Sequence, residues 1–185
     1  MFQCDVSLLC AIVKFVRHVC GGAMGGRERT DGNTMRLVAD AMLGRLAKWL
    51  RALGYDTLYW HGDDAGLVRL AMVEDRLLLT RDTRLPSRLP PGRCLLIESD
   101  HYDEQLRQVV SRFGLPPRIG HRCMRCNLLL EPADKAALRG QVPEFVWNHH
   151  DGFTRCPGCL RIYWEGTHYA RMMETLGRVA PMNIA

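Results

Sequence analysis

The sequence lacks any run of about 20 apolar residues, the length that a membrane-spanning helix requires. Its apolar segment over residues 6–19 is interrupted by Lys14 and Arg17, and no basic stretch precedes that segment as in a secretory signal. These absences argue against a membrane protein and against export. We therefore expect a cytoplasmic protein with no membrane partner.

The sequence also lacks a strong excess of one charge. It has 25 Lys and Arg residues against 20 Asp and Glu residues, which gives a net charge of +5. Lysine itself is scarce, and arginine supplies nearly all of the positive charge. Such a balance is compatible with a polyanionic partner but does not require one.

The cysteines lack the spacing of a disulfide framework. Four of the eight are scattered with no partner spacing, namely Cys4, Cys10, Cys20 and Cys94. The others form two Cys-x-x-Cys pairs, made by Cys123, Cys126, Cys156 and Cys159. Two tight turns that each present two thiolates complete a tetrahedral site, so we expect one structural Zn²⁺ in a small ribbon. A segment this small needs its metal to fold, and we expect zinc loss to unfold the ribbon while sparing the rest.

From residue 36 onwards, short apolar runs alternate with helical periodicity. Strands are predicted over residues 37–39, 56–59, 76–80 and 94–97, and helices over residues 42–53, 64–73 and 102–113. The first helix should end at Gly54 and bury one apolar face, made of Met42, Leu43, Leu46, Ala47, Leu50 and Leu53. This alternation is typical of an α/β fold with a parallel sheet.

Glycine clusters and a proline pair divide the chain into segments. We expect a flexible extension over residues 1–34, an α/β domain over 35–118, a zinc ribbon over 119–176 and a tail over 177–185.

Aspartates stand where predicted strands end or predicted helices begin. Asp40 and Asp82 follow the first and third strands, Asp63 and Asp64 precede the second helix, and Asp100 follows the fourth strand. In a parallel sheet these positions lie at the same edge, where ligands bind. Clustered carboxylates suit Mg²⁺ or Mn²⁺, and such ions promote attack of water on a phosphodiester.

The alternative is that each aspartate caps the helix that follows it. This alternative is strongest for Asp100 and weakest for Asp82, because an Arg- and Pro-rich loop rather than a helix follows Asp82.

Basic residues accompany these carboxylates. Arg45, Lys48 and Arg51 share one side of the first helix, and Arg81 is adjacent to Asp82. Arginine binds phosphate in a bidentate manner, and such contacts position a nucleic acid without reading its sequence. Alternatively, these residues form a solvated helix face, and Arg81 neutralises Asp82.

Several separated motifs resemble one known family. They are the stretch over residues 37–51, Leu-Gly-Tyr-Asp at 53–56, Leu-Thr-Arg-Asp at 79–82, Cys-x-x-Cys-Asn at 123–127, and Cys-Pro-x-Cys followed by Tyr-Trp-Glu-Gly-Thr-His at 163–168. In this order they resemble the Mut-seven C-terminal RNase domain family over about residues 36–176. The family usually has proline within the first cysteine pair, whereas this chain has Met124 and Arg125.

The resemblance implies a PIN-like, Rossmann-like nuclease domain followed by a zinc ribbon. It implies that Asp40, Asp64 and Asp82 bind the catalytic divalent metal, with Asp63 as the rival of Asp64, and that RNA is the substrate. Two other hypotheses stay open. One is a catalytically idle RNA- or ribosome-binding module, and the other is a toxin-like protein that a regulatory partner controls.

Overall fold

The computed structural model describes residues 35–113 and 120–179. The expected N-terminal extension over residues 1–34 lies outside the described residues, as do residues 180–185 of the expected tail. The described residues form a four-stranded parallel sheet flanked by helices, followed by a smaller antiparallel sheet that carries the four clustered cysteines. The predicted fold class, α/β with a ribbon-like Cys₄ segment, is confirmed.

The parallel sheet has the strand order β2-β1-β3-β4. Its strands are β1 (Arg36–Ala39), β2 (Asp56–Tyr59), β3 (Leu77–Thr80) and β4 (Cys94–Leu96). Along β1, Leu37 and Ala39 enter one hydrophobic core, while Val38 enters a second core on the opposite face. Both faces are therefore covered, which explains why the central strands are apolar except for Arg36 and Thr80 at their ends.

Helices cover the two faces unequally. Within residues 35–113 the α-helices are α1 (Gly44–Ala52), α2 (Asp64–Val73) and α3 (Tyr102–Phe113). Leu46 of α1 and Leu106 of α3 pack in the first core. Leu67 of α2 packs in the second core with Leu85 and Leu89, which belong to the loop that follows β3.

The start of the first helix differs from the sequence prediction. Residues Ala41–Leu43 form a 3₁₀ turn, and α1 begins only at Gly44. Because a 3₁₀ turn has 3.0 residues rather than 3.6, it shifts the helical phase. Met42 is consequently 63% exposed, so its predicted burial is wrong. Gly54 ends the helix in a left-handed conformation with φ 94°, as predicted.

The second sheet is small and antiparallel. It consists of β5 (Glu131–Pro132), β6 (Phe153–Arg155) and β7 (Ile162–Trp164), with the short helix α4 (Glu144–His149) before β6. Its core is built around Leu138, Val142 and Phe153, with Trp147 and Trp164 packed against them. These two tryptophans therefore contribute to packing.

The last described helix, α5 (Thr167–Val179), returns to the α/β domain. Leu176 and Val179 are buried in the first core beside residues of β1, α1 and α3. The boundary expected at residue 176 falls inside this helix, and the domain limits stay a prediction. None of the helices within residues 35–113 and 120–179 combines the length and the apolar character needed to cross a membrane.

Candidate nuclease site and cysteine cluster

Asp40 lies at the carboxyl end of β1 and connects that strand to β3. Its backbone N–H donates to the Leu79 carbonyl, and its Oδ2 accepts hydrogen bonds from the Thr80 hydroxyl and from the Arg81 N–H, which lies 3.1 Å away. Its Oδ1 accepts a 2.9 Å bond from the Met42 N–H and so caps the 3₁₀ turn. The capping alternative and the position at the sheet edge therefore both hold for Asp40, whose side chain is buried.

Asp82 is joined to Asp40 through Thr80. The Asp82 N–H donates a 3.0 Å bond to the same Thr80 hydroxyl that donates to Asp40. The Asp82 carboxylate accepts two bonds from the Arg84 guanidinium, 3.2 Å from Nε to Oδ1 and 3.0 Å from Nη2 to Oδ2. Hydrogen bonds from the side chain and backbone of Arg84 lower the pKa of Asp82, so this carboxylate is ionised at neutral pH.

The adjacent residues Asp63 and Asp64 have different roles. Asp63 caps α2, because its Oδ1 accepts a 2.7 Å bond from the Gly66 N–H. The Asp64 side chain is 55% exposed and lies 3.8 Å from a guanidinium nitrogen of Arg88. Both residues are exposed, and the helix cap is made by Asp63 rather than by Asp64.

The loop after β3 brings positive charge to Asp64 and Asp82. The pKa of Arg84 is raised chiefly by its hydrogen bond to Asp82, with a smaller contribution from the charge of Asp64. Arg88 likewise contributes to lowering the pKa of Asp82. Asp64 and Asp82 therefore lie within electrostatic reach of the same two arginines.

For Asp100, the remaining acidic candidate, the contact described is with its neighbour His101 rather than with these groups. Its side chain is 72% exposed and pairs with His101 at 3.7 Å.

The predicted phosphate-binding residues are placed differently from one another. Arg45 and Lys48 are exposed on α1, and the Arg45 guanidinium lies 3.5 Å from the centre of the Tyr102 ring, a cation–π contact that orients it. Arg81 is half-buried and holds Asp40 through its backbone N–H. Arg51 is only 8% exposed, so the predicted solvent-facing position of that residue is wrong.

The four cysteines form a compact cluster. Their sulfur atoms all lie within 4.8 Å of one another, and the Cys123 and Cys159 sulfurs are 3.6 Å apart. A tetrahedral zinc–thiolate site with bonds of about 2.3 Å separates its sulfurs by about 3.8 Å. The cluster therefore has the donor set and the spacing that zinc requires.

The two cysteine turns are built alike. In the first, the Cys123 carbonyl accepts from the Asn127 N–H, and in the second, the Cys156 carbonyl accepts from the Leu160 N–H, each at 2.9 Å. Asn127 and Leu160 both have positive φ, 66° and 60°. In each turn the first sulfur also accepts from the backbone N–H of the second cysteine. The Tyr163 hydroxyl lies 3.1 Å from the Cys123 sulfur, a neighbour that the cysteine spacing did not predict.

Within the described part of the chain, the cysteines are the group in which three or more potential metal ligands lie this close together. The oxygens of Asp40, Asp64 and Asp82 are less closely gathered. They are nevertheless of the kind that Mg²⁺ and Mn²⁺ bind, and such ions keep several waters. The sequence did not predict the hydrogen bonds of Thr80 to Asp40 and Asp82, or those of Arg84 to Asp82. The position of Thr80 at the end of a buried strand, next to the acidic candidates, could have indicated the first of these contacts.

The chain thus combines an α/β domain, with acidic residues at the carboxyl edge of its sheet, and a Cys₄ ribbon. Comparison with known proteins identifies the family that has this combination. The Mut7-C RNAse domain model matches residues 35–176, and the chain belongs to this family. The human exonuclease mut-7 homolog is 31% identical in an alignment 114 residues long, which covers 56% of this chain and 13% of that protein. No solved structure matches the chain. The family and this relative support a nuclease-type function.

Proposed function

We propose that this protein is a divalent-metal-dependent ribonuclease that hydrolyses RNA phosphodiester bonds at the carboxyl edge of its parallel sheet. The observation that carries the proposal is the Thr80 hydroxyl, which joins Asp40 to the backbone of Asp82 in a chain that belongs to an RNase domain family. An acidic pair held at the carboxyl edge of a parallel sheet matches the place where such folds bind ligands.

In this proposal Asp40, Asp64 and Asp82 hold Mg²⁺ or Mn²⁺. When bound, the ion would supply an activated water and would stabilise charge on the attacking and leaving oxygens. Asp40 is oriented by the Thr80 hydroxyl and the Arg81 N–H, so its carboxylate needs little rearrangement. Arg84 forms a salt bridge with Asp82, but its side chain is 84% exposed and can therefore leave that carboxylate when an ion binds.

RNA is the proposed substrate and partner. Arg45 and Lys48 on α1 and Arg81 after β3 would contact its phosphates, and the stacking of Arg45 on Tyr102 supports this role for Arg45. Phosphate contacts of this kind contribute affinity without sequence specificity.

The four cysteines are proposed to hold one structural Zn²⁺. The described cysteines form no disulfide, which is compatible with the reducing cytoplasm, where we propose the protein acts. A regulatory or ribosomal partner stays a prediction.

The test is hydrolysis of a panel of RNAs with Mg²⁺, with Mn²⁺ and with neither ion. We expect Asp40→Asn and Asp82→Asn to reduce the metal-dependent rate by at least about a hundredfold, since each removes a proposed ligand. Asp75→Asn is the matched control, because Asp75 precedes β3 at the opposite end of the sheet and asparagine tolerates its positive φ of 53°. Folded protein that binds RNA without cleaving it would favour the idle binding module.

A further inference from the structure

The first cysteine turn is docked on the α/β domain through the buried side chain of Arg51. Its Nε donates a 2.7 Å bond to the Thr57 carbonyl of β2. Its Nη1 donates to the carbonyls of Met124 and Arg125, at 3.1 and 2.9 Å. These two carbonyls belong to the residues that separate Cys123 from Cys126, so Arg51 connects the sheet directly to the proposed zinc turn.

Asn127, the residue after Cys126, makes a second connection. Its Oδ1 accepts a 3.0 Å bond from the Thr57 N–H, and its Nδ2 donates a 2.7 Å bond to Asp56. Because β2 lies at an edge of the sheet, the outward N–H and C=O of Thr57 need partners beyond the strands. Asn127 supplies the partner of the N–H, and Arg51 supplies the partner of the carbonyl.

Two further arginines extend this junction, of which Arg76 is buried and Arg122 is half-buried. Arg76 pairs with Asp56 at 2.7 Å and also donates to the Leu37 carbonyl of β1. From the ribbon, Arg122 donates to the Gly54 carbonyl at the end of α1 and to the Asn127 carbonyl. The junction thus reaches β1, β2 and α1, the elements next to Asp40.

We propose that Arg51 and Asn127 couple zinc binding in the ribbon to the stability of strand β2. The zinc-loaded turn would then stabilise the edge of the parallel sheet. The proposal rests on the zinc site proposed above but not on nuclease activity. Zinc holds both cysteines of the first turn and thereby fixes the carbonyls of Met124 and Arg125 between them. Without zinc the turn relaxes, so that Arg51 loses the carbonyls of Met124 and Arg125 and the Thr57 N–H loses Asn127. Such losses in a buried place are costly for a charged group and for a backbone amide.

The coupling is reciprocal, because two linked equilibria change one another by the same factor. Zinc removal should loosen β2, and loss of Arg51 should weaken zinc retention. This outcome differs from the expectation, drawn from the sequence, that zinc loss spares the α/β domain.

The first measurement is amide hydrogen exchange of the full chain, after its zinc content has been determined, with and without a zinc chelator. We expect chelation to speed exchange of the Thr57 amide by at least about tenfold relative to that of the Leu78 amide. The Leu78 amide is the internal control, because it bonds to the Arg93 carbonyl on the other side of the sheet. Equal changes at the two amides, or none, would overturn the coupling.

The second measurement is the rate at which the protein releases zinc to a chromogenic chelator. Arg51→Met keeps the aliphatic stem, and Arg51→Lys keeps the charge but not the fork that spans several carbonyls. We expect both to release zinc about tenfold faster than the wild type or more, and Arg107→Met, a change at an exposed arginine of α3, to match the wild type.

Asn127→Gly keeps the proposal testable if the Arg51 variants do not fold. Glycine accepts the positive φ of this position and removes only the side-chain bonds to Thr57 and Asp56. Faster zinc release together with faster exchange at Thr57 supports the coupling, whereas wild-type behaviour in both measurements overturns it. A wild-type chain that binds no zinc would overturn the zinc assignment and the coupling together.

Discussion

Each end of the parallel sheet carries an aspartate paired with an arginine, and the two pairs differ in burial. At the amino end, Asp56 and Arg76 have side chains that are 13% and 7% exposed, and Asn127 ties them to the cysteine turn. At the carboxyl end, Asp82 and Arg84 are 24% and 84% exposed. Removing one partner of a buried pair is strongly destabilising, whereas a half-buried carboxylate whose arginine is exposed can exchange that partner for a ligand at little cost.

The two proposed metal sites differ in the same way. The four cysteines are brought within 4.8 Å of one another by two short turns with matching backbone hydrogen bonds. The three carboxylates come from separate elements and are each engaged by protein donors or by arginine. The amino end is therefore expected to determine whether the protein is folded, and the carboxyl end whether it reacts.

The largest effect is expected from breaking the cysteine cluster. Cys156→Ser removes one thiolate of four, and a structural zinc site contributes a large part of the folding free energy of a small domain. We expect zinc content to fall from one per chain to near zero, with loss of ordered structure in the ribbon. Metal analysis and circular dichroism check this, and Cys94→Ser, a cysteine of β4 outside the cluster, should keep its zinc.

Removing one partner of the buried pair comes next. Asp56→Ala removes the closer of two carboxylates from the buried Arg76, which keeps Glu74 at 2.8 Å, so the cost should approach but not exceed the ~3–5 kcal/mol of a broken buried pair. Urea unfolding should show this decrease for Asp56→Ala and no measurable change for Asp82→Ala. Equal destabilisation by the two substitutions would remove the distinction between the two ends of the sheet.

Thr80→Val is expected to have an intermediate effect. The valine keeps the shape of the buried threonine but removes the hydroxyl, so Asp40 loses a donor and the Asp82 N–H loses its acceptor. Leaving such groups unpaired costs about 1–3 kcal/mol. Thr80→Ser is the control, because it retains the hydroxyl, and its unfolding free energy and RNA cleavage should stay closer to the wild type. If Thr80→Val cleaves RNA at the wild-type rate, the link between the two aspartates has no role in positioning them.

The pH dependence of stability is the smallest of the expected effects. Burial raises the pKa of Asp56, but hydrogen bonds and charge from Arg76, with help from Asn127, outweigh it and hold that pKa below the ordinary value of 3.8. Stability from this group is therefore complete above about pH 4 and is lost as the pH falls through the lowered pKa. Denaturant titrations at several pH values between about 2.5 and 5 give the free energy of unfolding at each pH. This free energy should change less steeply with pH for Asp56→Asn than for the wild type. Identical slopes would mean that Asp56 has the same pKa in the folded and unfolded chain.

Local patterns predicted most of the fold and the cysteine cluster. Strand alternation, helical spacing and Gly54 depend on residues close in sequence, and so do the two Cys-x-x-Cys turns. The phase of α1 was not predicted, because the cap at Asp40 starts a 3₁₀ turn that carries Met42 to the surface. The burial of Arg51 and the return of α5 were also missed, since both depend on residues far away in the chain.

The acidic edge was predicted in part, for a similar reason. Periodicity placed Asp40 and Asp82 at strand ends but could not indicate which donors would occupy their oxygens. Asp63 and Asp64 were not separable from the sequence, because either one can cap α2. The hydrogen bond from Gly66 assigns the cap to Asp63 and leaves Asp64 open to solvent.

The most direct test of two separate metal sites is calorimetric titration of Mn²⁺ into zinc-loaded protein. The account predicts that wild-type protein binds Mn²⁺ without losing zinc, that Asp82→Asn binds it at least about tenfold more weakly with zinc content unchanged, and that Asp75→Asn behaves as wild type. Mn²⁺ binding that is unaffected by Asp82→Asn, or that displaces the zinc, would contradict the assignment of the carboxyl edge as the second site.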